Sequence, residues 1–281
     1  MSESKPVVLR SAANPTVRHL LRMRDNRARR KAARVIVDGW RETAQAIDAG
    51  WTLCGVYLPE STPLKSEDPQ DPSIQEVIEF CRTADKITWV SDSIMERIGY
   101  GESFRGVVAE FEQPSMTLDQ LELPDSPLVL VLDRIEKPGN IGAVFRSADA
   151  AGVDAVLLCD FCDIFNPNAI RSSLGCVFHV PSACGTESEL AQYLVSRGIR
   201  VMVARVESSS TLWSADLRGP LAIVLGSEAD GLGDRWQTVG EAAVEGIRIP
   251  MSGKVDSLNV SVSAALIAFE ANRQRRTGQT G

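Results

Sequence analysis

Three segments in the second half of the chain combine amides, hydroxyls, small residues and one arginine in ways that suit a polar ligand. The first runs Asp133-Arg134-Ile135-Glu136-Lys137-Pro138-Gly139-Asn140-Ile141-Gly142-Ala143-Val144-Phe145-Arg146. Pro138-Gly139 makes a turn, Asn140 caps a helix, and Gly142 and Ala143 allow close packing or backbone approach to a ligand. Arg146 stands one to two turns inside that mostly apolar helix. An isolated buried guanidinium is costly, so Arg146 needs an anion there, either structural or a substrate phosphate. The second segment, Leu225-Gly226-Ser227-Glu228-Ala229-Asp230-Gly231-Leu232, follows an apolar run. It can expose its amides to a ligand or be a plain acidic turn. It is no P-loop, because neither glycine leads into Lys and Ser/Thr, and no GxGxxG opens a helix after a strand anywhere in the chain. The third begins at Ile249-Pro250-Met251 and opens a helix at Ser257-Leu258-Asn259. Uncapped amides at that opening can hold an oxygen or an anion, although Ser and Asn are also ordinary cap residues.

Each segment follows a short apolar run. The runs 128–132, 155–158, 201–204, 223–225 and 247–249 alternate with helical patterns at 141–151, 167–174, 188–197, 234–240 and 258–275. Continuous apolar strands separated by helices predict an α/β domain with a parallel sheet covered on both faces. Ligands of such sheets bind at the carboxyl ends of the strands, where the three segments fall. The last helix places Leu258, Val262, Leu266 and Phe269 on one apolar face. The first half alternates less regularly: a helix over 14–34, strands at 35–37, 55–58, 87–90 and 107–111, and helices at 41–49 and 74–82. That pattern predicts a small α/β domain over 1–112, a proline-containing linker over 113–127 and a second domain over 128–281.

The net charge of −7 on 281 residues argues, taken whole, against a nucleic-acid partner. It is unevenly placed. Residues 1–41 hold eleven Lys and Arg against three acids, a surplus of eight, which leaves −15 for the remainder. Arg27, Arg29, Arg30 and Lys31 are the densest part of that run and the candidates for meeting a polyanion, the alternative being a solvated basic helix face. The apolar runs are of strand length and no export signal opens the chain, so a cytoplasmic protein without a membrane span is expected. Cys159-Asp160-Phe161-Cys162 has redox or metal spacing, but no second such pair accompanies it. A cysteine ending an apolar strand more often serves as a small hydrophobe, so no metal site is expected.

Together and in this order, the three segments resemble the signature of the TrmH/SpoU branch of the SPOUT RNA 2′-O-ribose methyltransferases. The first motif is matched by Asn140, Gly142 and Arg146. The second is matched by Leu225, Gly226, Glu228, Gly231 and Leu232. The third is matched by Ile249, Pro250, Met251, Ser257, Leu258, Asn259, Val260 and Ser261. The resemblance covers about 128–275. More weakly, Val37-Asp38-Gly39 and Arg105-Gly106-Val107-Val108-Ala109 resemble the start and end of an L30e-like RNA-binding domain, with Asp38 for the usual Glu and Arg105 for a common Gln.

The resemblance implies a C-terminal α/β SPOUT domain with a deep trefoil knot over about 222–270, preceded by the L30e-like substrate-binding domain. It implies S-adenosylmethionine as cofactor, held by backbone groups at Leu225, Gly226, Ile249, Met251 and Leu258. It implies a homodimer and an RNA partner rather than DNA. Ribosomal RNA is preferred to tRNA on domain layout alone. Arg146, Asn140, Glu228, Ser257 and Asn259 are then the catalytic set. Arginine in water is too basic to deprotonate near neutral pH, so Arg146 is read as holding the substrate phosphate and orienting the ribose hydroxyl rather than as the base. Two other readings remain at this point: an RNA-binding protein of this fold without catalysis, and a nicotinamide-binding α/β enzyme, which the absent glycine fingerprint opposes.

Overall fold

The computed structural model describes residues 7–62, 72–100, 106–160, 162–227 and 231–277. The chain divides into two compact units, Met1–Pro114 with Phe165–Phe178, and Ser115–Ile164 with His179–Gly281.

The first unit is built on β1 (Val8–Leu9), β2 (Arg34–Asp38), β3 (Leu53–Pro59), β4 (Ile87–Val90) and β5 (Val108–Glu112), in the order β1-β4-β3-β5-β2. β1, β4 and β3 pair in parallel, and β5 runs antiparallel to both β3 and β2. Its helices are α1 (Pro15–Arg22), α2 (Asn26–Ala32), α3 (Trp40–Asp48), α4 (Pro72–Thr83) and α5 (Asp92–Ile98). The single helix expected over 14–34 is two helices. Asp25 caps α2 by accepting from the Ala28 amide at 2.9 Å, which starts a new helix instead of continuing the old one. Val17, Leu20 and Met23 then pack with Ile94, Met95 and Ile98 in one core.

The break also reassigns Arg29. It is 2% exposed, and its guanidinium donates to the carbonyls of Met23 at 3.0 Å and Arg24 at 3.1 Å. A buried guanidinium holding the end of one helix cannot lie on a phosphate, so Arg29 leaves the expected RNA-binding set. Arg27, Arg30 and Lys31 are exposed. Residues 165–178, expected in the C-terminal domain, belong to this unit. They carry α7 (Pro167–Ser172), whose Arg171 donates to buried Asp38 at 2.9 Å, while Trp51 meets Phe165 and Phe178 edge-on.

The second unit carries β6 (Leu128–Asp133), β7 (Ala155–Cys159), β8 (Ser182–Gly185), β9 (Arg200–Ala204), β10 (Ser210–Thr211), β11 (Leu221–Leu225) and β14 (Glu245–Arg248) in one sheet, with β12 (Thr238–Val239) and β13 (Ala242–Ala243) forming a hairpin. The order is β10-β14-β9-β11-β6-β7-β8 and every pairing is parallel. All carboxyl ends therefore open on one side. β6, β7 and β11 are buried at every residue, as their unbroken apolar runs require.

α6 (Pro138–Ala151) and α9 (Val260–Thr277) pack on each other, and α8 (Glu187–Ser196) covers the core that contains Leu190 and Leu194. The stretch 115–127, expected as linker, contributes Leu121 to that core, with Leu118 and Leu123 packed against it.

Two local expectations fail here for visible reasons. Residues 234–240 are not helical, because Trp236 sits at φ 57° with its ring buried, and the chain turns into the β12–β13 hairpin. α9 does not bury the face with Val262, Leu266 and Phe269, which are 45%, 38% and 51% exposed. It buries Val260, Ala264, Ile267, Ala268 and Ala271 instead. Three alanines let α9 approach α6 closely, and Asn272 donates across to the Ala151 carbonyl. No helix among the described residues is long and apolar enough to cross a membrane.

Candidate active site

The loops after β9, β11 and β14 and the start of α9 surround a cavity of about 680 Å³ in the second unit. That is the size class of a small-molecule site. Leu225, Gly226, Ile249, Met251 and Leu258, the five residues expected to hold a cofactor, all line it, and so do Ser257 and Asn259. Its wall mixes apolar side chains such as Leu225, Ile249 and Met251 with polar ones such as Arg205, Ser257 and Asn259, as suits a ligand with both apolar and polar parts.

The wall after β11 depends on Gly226. A Cβ there would lie 2.4 Å from the Gly231 carbonyl carbon, 2.5 Å from its oxygen and 2.7 Å from the Leu232 nitrogen. Only glycine lets the loop close on itself, which it does through a bridge between Ser227 and Gly231. Glu228, expected in the catalytic set, lies outside the described residues, as does Arg105 of the first-domain motif.

The opposite wall is the opening of α9. Asn259 caps the helix by accepting from the Ser261 amide at 2.8 Å and the Ser261 hydroxyl at 2.7 Å. Its amide nitrogen donates to the Asn140 side-chain oxygen at 3.1 Å, joining the third motif to the first. Asn140 Nδ2 is itself buried and has no hydrogen-bond partner among the described residues, a spare donor beside the cavity. Ser257 donates to Asp256 at 3.2 Å.

Arg146 is exposed on α6 and pairs with no carboxylate among the described residues. The expectation that burial would force an anion upon it is therefore corrected: Arg146 is a solvated cation, free to meet an incoming phosphate. Sequence reasoning missed Lys137, Arg205, Glu207 and Ser263, which also line the cavity. Arg205 could have been found by the rule that singled out the other segments, since it directly follows β9.

Behind the cavity wall lies a partly buried polar cluster. Asp133, Cys159 and Asp160 bring their ligand atoms within 4.8 Å of one another, a spacing a metal ion could use. Arg235 supplies the positive charge instead, donating to Asp133 at 2.8 Å, Cys159 at 3.1 Å and Asp160 at 2.8 Å. Burial works against the Arg235 charge, but its bond and attraction to Asp133 outweigh this and hold its pKa above the usual range. Burial, reinforced by Asp133 and Asp160, pushes the Cys159 thiol up to about 12, and burial likewise pushes Cys162 up to about 12. Cys162 faces the Leu132 carbonyl at 3.6 Å, and all six cysteines are free thiols.

An all-parallel sheet with a ligand cavity between the loops of β11, β14 and the start of the last helix defines an α/β ligand-binding domain, here preceded by a separate small α/β unit. Residues 127–269 match the SpoU rRNA methylase family, and residues 14–109 match an MRM3-like substrate binding domain. The chain belongs to the SpoU rRNA methylase family. It is 29% identical over 259 residues to a 23S rRNA (uridine(2479)-2′-O)-methyltransferase of Streptomyces viridochromogenes, covering 90% of this chain and 87% of that one. It is 35% identical over 188 residues to the 23S rRNA (guanosine-2′-O-)-methyltransferase RlmB of Vibrio vulnificus, covering 64% and 74%. Among solved structures, an RNA 2′-O ribose methyltransferase aligns with a TM-score of 0.79 at 34% identity, covering 95% of this chain and 99% of the other.

Proposed function

We propose that the chain is an S-adenosylmethionine-dependent methyltransferase acting on the ribose 2′-hydroxyl of ribosomal RNA, that of the large subunit. The single observation that carries the reading is the joining of all three motifs at one cavity, through the Asn259–Asn140 bond and the Gly226 closure. S-adenosylmethionine would supply a methyl group on a sulfonium, already activated for displacement. Leu225, Gly226, Ile249, Met251 and Leu258 would hold it. The protein then has two tasks, alignment of the hydroxyl and removal of its proton.

Arg146, exposed and with no carboxylate partner among the described residues, is suited to binding the substrate phosphate, and its fork orients the nucleotide. Asn140 carries a spare donor for ribose, Asn259 holds Asn140 in place, and Ser257 completes the polar surround. The chain over 222–270 would be threaded as a trefoil knot. In support, β14 lies beyond β9, yet the next element, α9, packs on α6, which follows β6 on the other side of β11.

A homodimer is supported by exposed Leu266 and Phe269 beside Trp213, itself 58% exposed, with exposed Val262 on the same helix, because an apolar patch of this kind usually marks an interface. The first unit would bind the RNA, with its basic surface meeting phosphate, and the reaction would take place in the cytoplasm. The RlmB-type and uridine-modifying relatives differ in their target base, and ribosomal RNA is preferred over tRNA because the named relatives with broad coverage act on 23S rRNA.

Mapping 2′-O-methyl sites in total RNA from cells with and without the gene tests this. One large-subunit position losing its methyl supports the reading, a tRNA position moves the substrate, and no change refutes the activity.

A further inference from the structure

We propose that Asp133, Arg235, Trp236 and Glu187 are positioning residues that fix one wall of the cofactor cavity from behind, so that affinity for S-adenosylmethionine depends on residues that never reach it. The inference rests on the reading of that cavity as the cofactor site. Gly231, Leu232 and Gly233 line the cavity, and the chain then passes directly into the polar cluster. Asp133 ends β6 with its side chain fully buried, and one carboxylate oxygen accepts from both the Trp236 indole at 2.7 Å and the Arg235 guanidinium at 2.8 Å. The Trp236 backbone N–H donates to Glu187 at 2.7 Å, at the first residue of α8. Arg235 also pairs with Glu187 at 3.2 Å and with Asp160 at 2.8 Å. From the cavity side, Arg205 donates to the carbonyls of Gly233 at 2.7 Å and Arg235 at 2.5 Å. Residues 233–236 are thus held by the ends of β6, β7 and β9 and by α8.

Two features separate this from ordinary core packing. Trp236 is 1% exposed yet adopts φ 57°, a conformation a bulky side chain keeps only where its surroundings over-determine it. And a fully buried carboxylate is a poor stabiliser compared with an apolar residue of similar size. A network anchored on a buried carboxylate, with directed bonds from Trp236 and Arg235, instead selects a single arrangement. Here that arrangement sets where Gly231–Gly233 stand, and so the width of the cavity.

Removing one bond from behind should therefore loosen the wall without touching the groups that face RNA. Trp236→Phe keeps an aromatic ring, though a smaller one, and deletes the indole donor. Glu187→Ala deletes the acceptor for the Trp236 amide, and Glu187→Gln restores an acceptor without the charge. Calorimetric binding of S-adenosylmethionine and steady-state methylation of a ribosomal RNA transcript are the readouts. Trp236→Phe and Glu187→Ala are expected to raise the Kd and KM for the cofactor about tenfold with kcat at saturation within about twofold, and Glu187→Gln to recover most of the loss. Ile36→Val, a core change in the first unit, should lower the melting temperature and leave KM alone.

Unchanged cofactor affinity in Trp236→Phe and Glu187→Ala overturns the proposal, as does a loss of kcat with KM intact. Should Trp236→Phe fail to fold, the Glu187 pair at the partly exposed edge decides alone. Met251→Trp, which fills the cavity, tests the underlying reading separately: if it binds cofactor normally, the cavity is not the cofactor site.

Discussion

Gly226→Ala places one methyl group where the loop lining the cavity closes on itself. Its Cβ would stand 2.4, 2.5 and 2.7 Å from three backbone atoms of Gly231 and Leu232, where ordinary contact begins at 3.4 Å. The facing atoms are main chain, so no side chain can swing away, and the loop must retreat by about 0.7–1.0 Å. Forcing an extra group into a packed position costs about 1–3 kcal/mol. For a unit of this size that lowers the melting temperature by about 2–12 °C. The same displacement moves the wall formed by Gly231 and Leu232 away from its ligand. A shift of that size corresponds to an affinity loss of about 10–100-fold, or about 1.4–2.8 kcal/mol.

Gly139→Ala is the matched control, because nothing lies within 4 Å of its added Cβ. It should melt at or slightly above the wild-type temperature and bind normally. Titration calorimetry with S-adenosylmethionine and a thermal melt measure both quantities. A Gly226→Ala protein with wild-type affinity and melting temperature would refute the claim that the loop closes on this glycine.

Arg146→Lys retains charge but loses the planar fork, so methyl transfer should fall at least about 100-fold while S-adenosylmethionine binds as before; near-wild-type turnover would show that charge alone suffices. Replacing Arg27, Arg30 and Lys31 by Gln should weaken RNA binding and flatten its dependence on salt by about two to three in logarithmic slope, without changing cofactor affinity. Arg29→Ala should behave differently, lowering the stability of the first unit by about 1.5–3 kcal/mol through loss of its bonds to Met23 and Arg24. Alkylation at pH 8 followed by peptide mass spectrometry should modify exposed Cys184 first. Burial raises Cys81, Cys159 and Cys162 to about 12, so these three stay protonated and should react only on unfolding. Because the folded pKa is the higher one, the stability these thiols confer is complete below the unfolded value of about 9 and declines as pH rises from there toward 12. Equal labelling of all cysteines in the folded protein would contradict this.

The amino-acid sequence alone determined the parts that local chemistry dictates. Unbroken apolar runs mark β6, β7 and β11 because a strand buried on both faces has no solvent side to alternate with. The three motifs announced themselves because close backbone approach, a helix opening and a phosphate partner each demand particular residue types. The cavity brings Asn259 to Asn140, 119 residues apart in the chain.

Where distant residues compete, the tertiary structure decided. Asp25 ended a helix that Arg-rich periodicity would have continued, and the fold then buried Arg29 while leaving Arg27 and Arg30 in water. Asp133 and Glu187, far off in sequence, drew Trp236 out of an expected helix. The apolar face of α9 was legible as apolar but not as exposed. Three alanines packing on α6 turned Val262, Leu266 and Phe269 outward, a choice made by close approach between helices and invisible to periodicity.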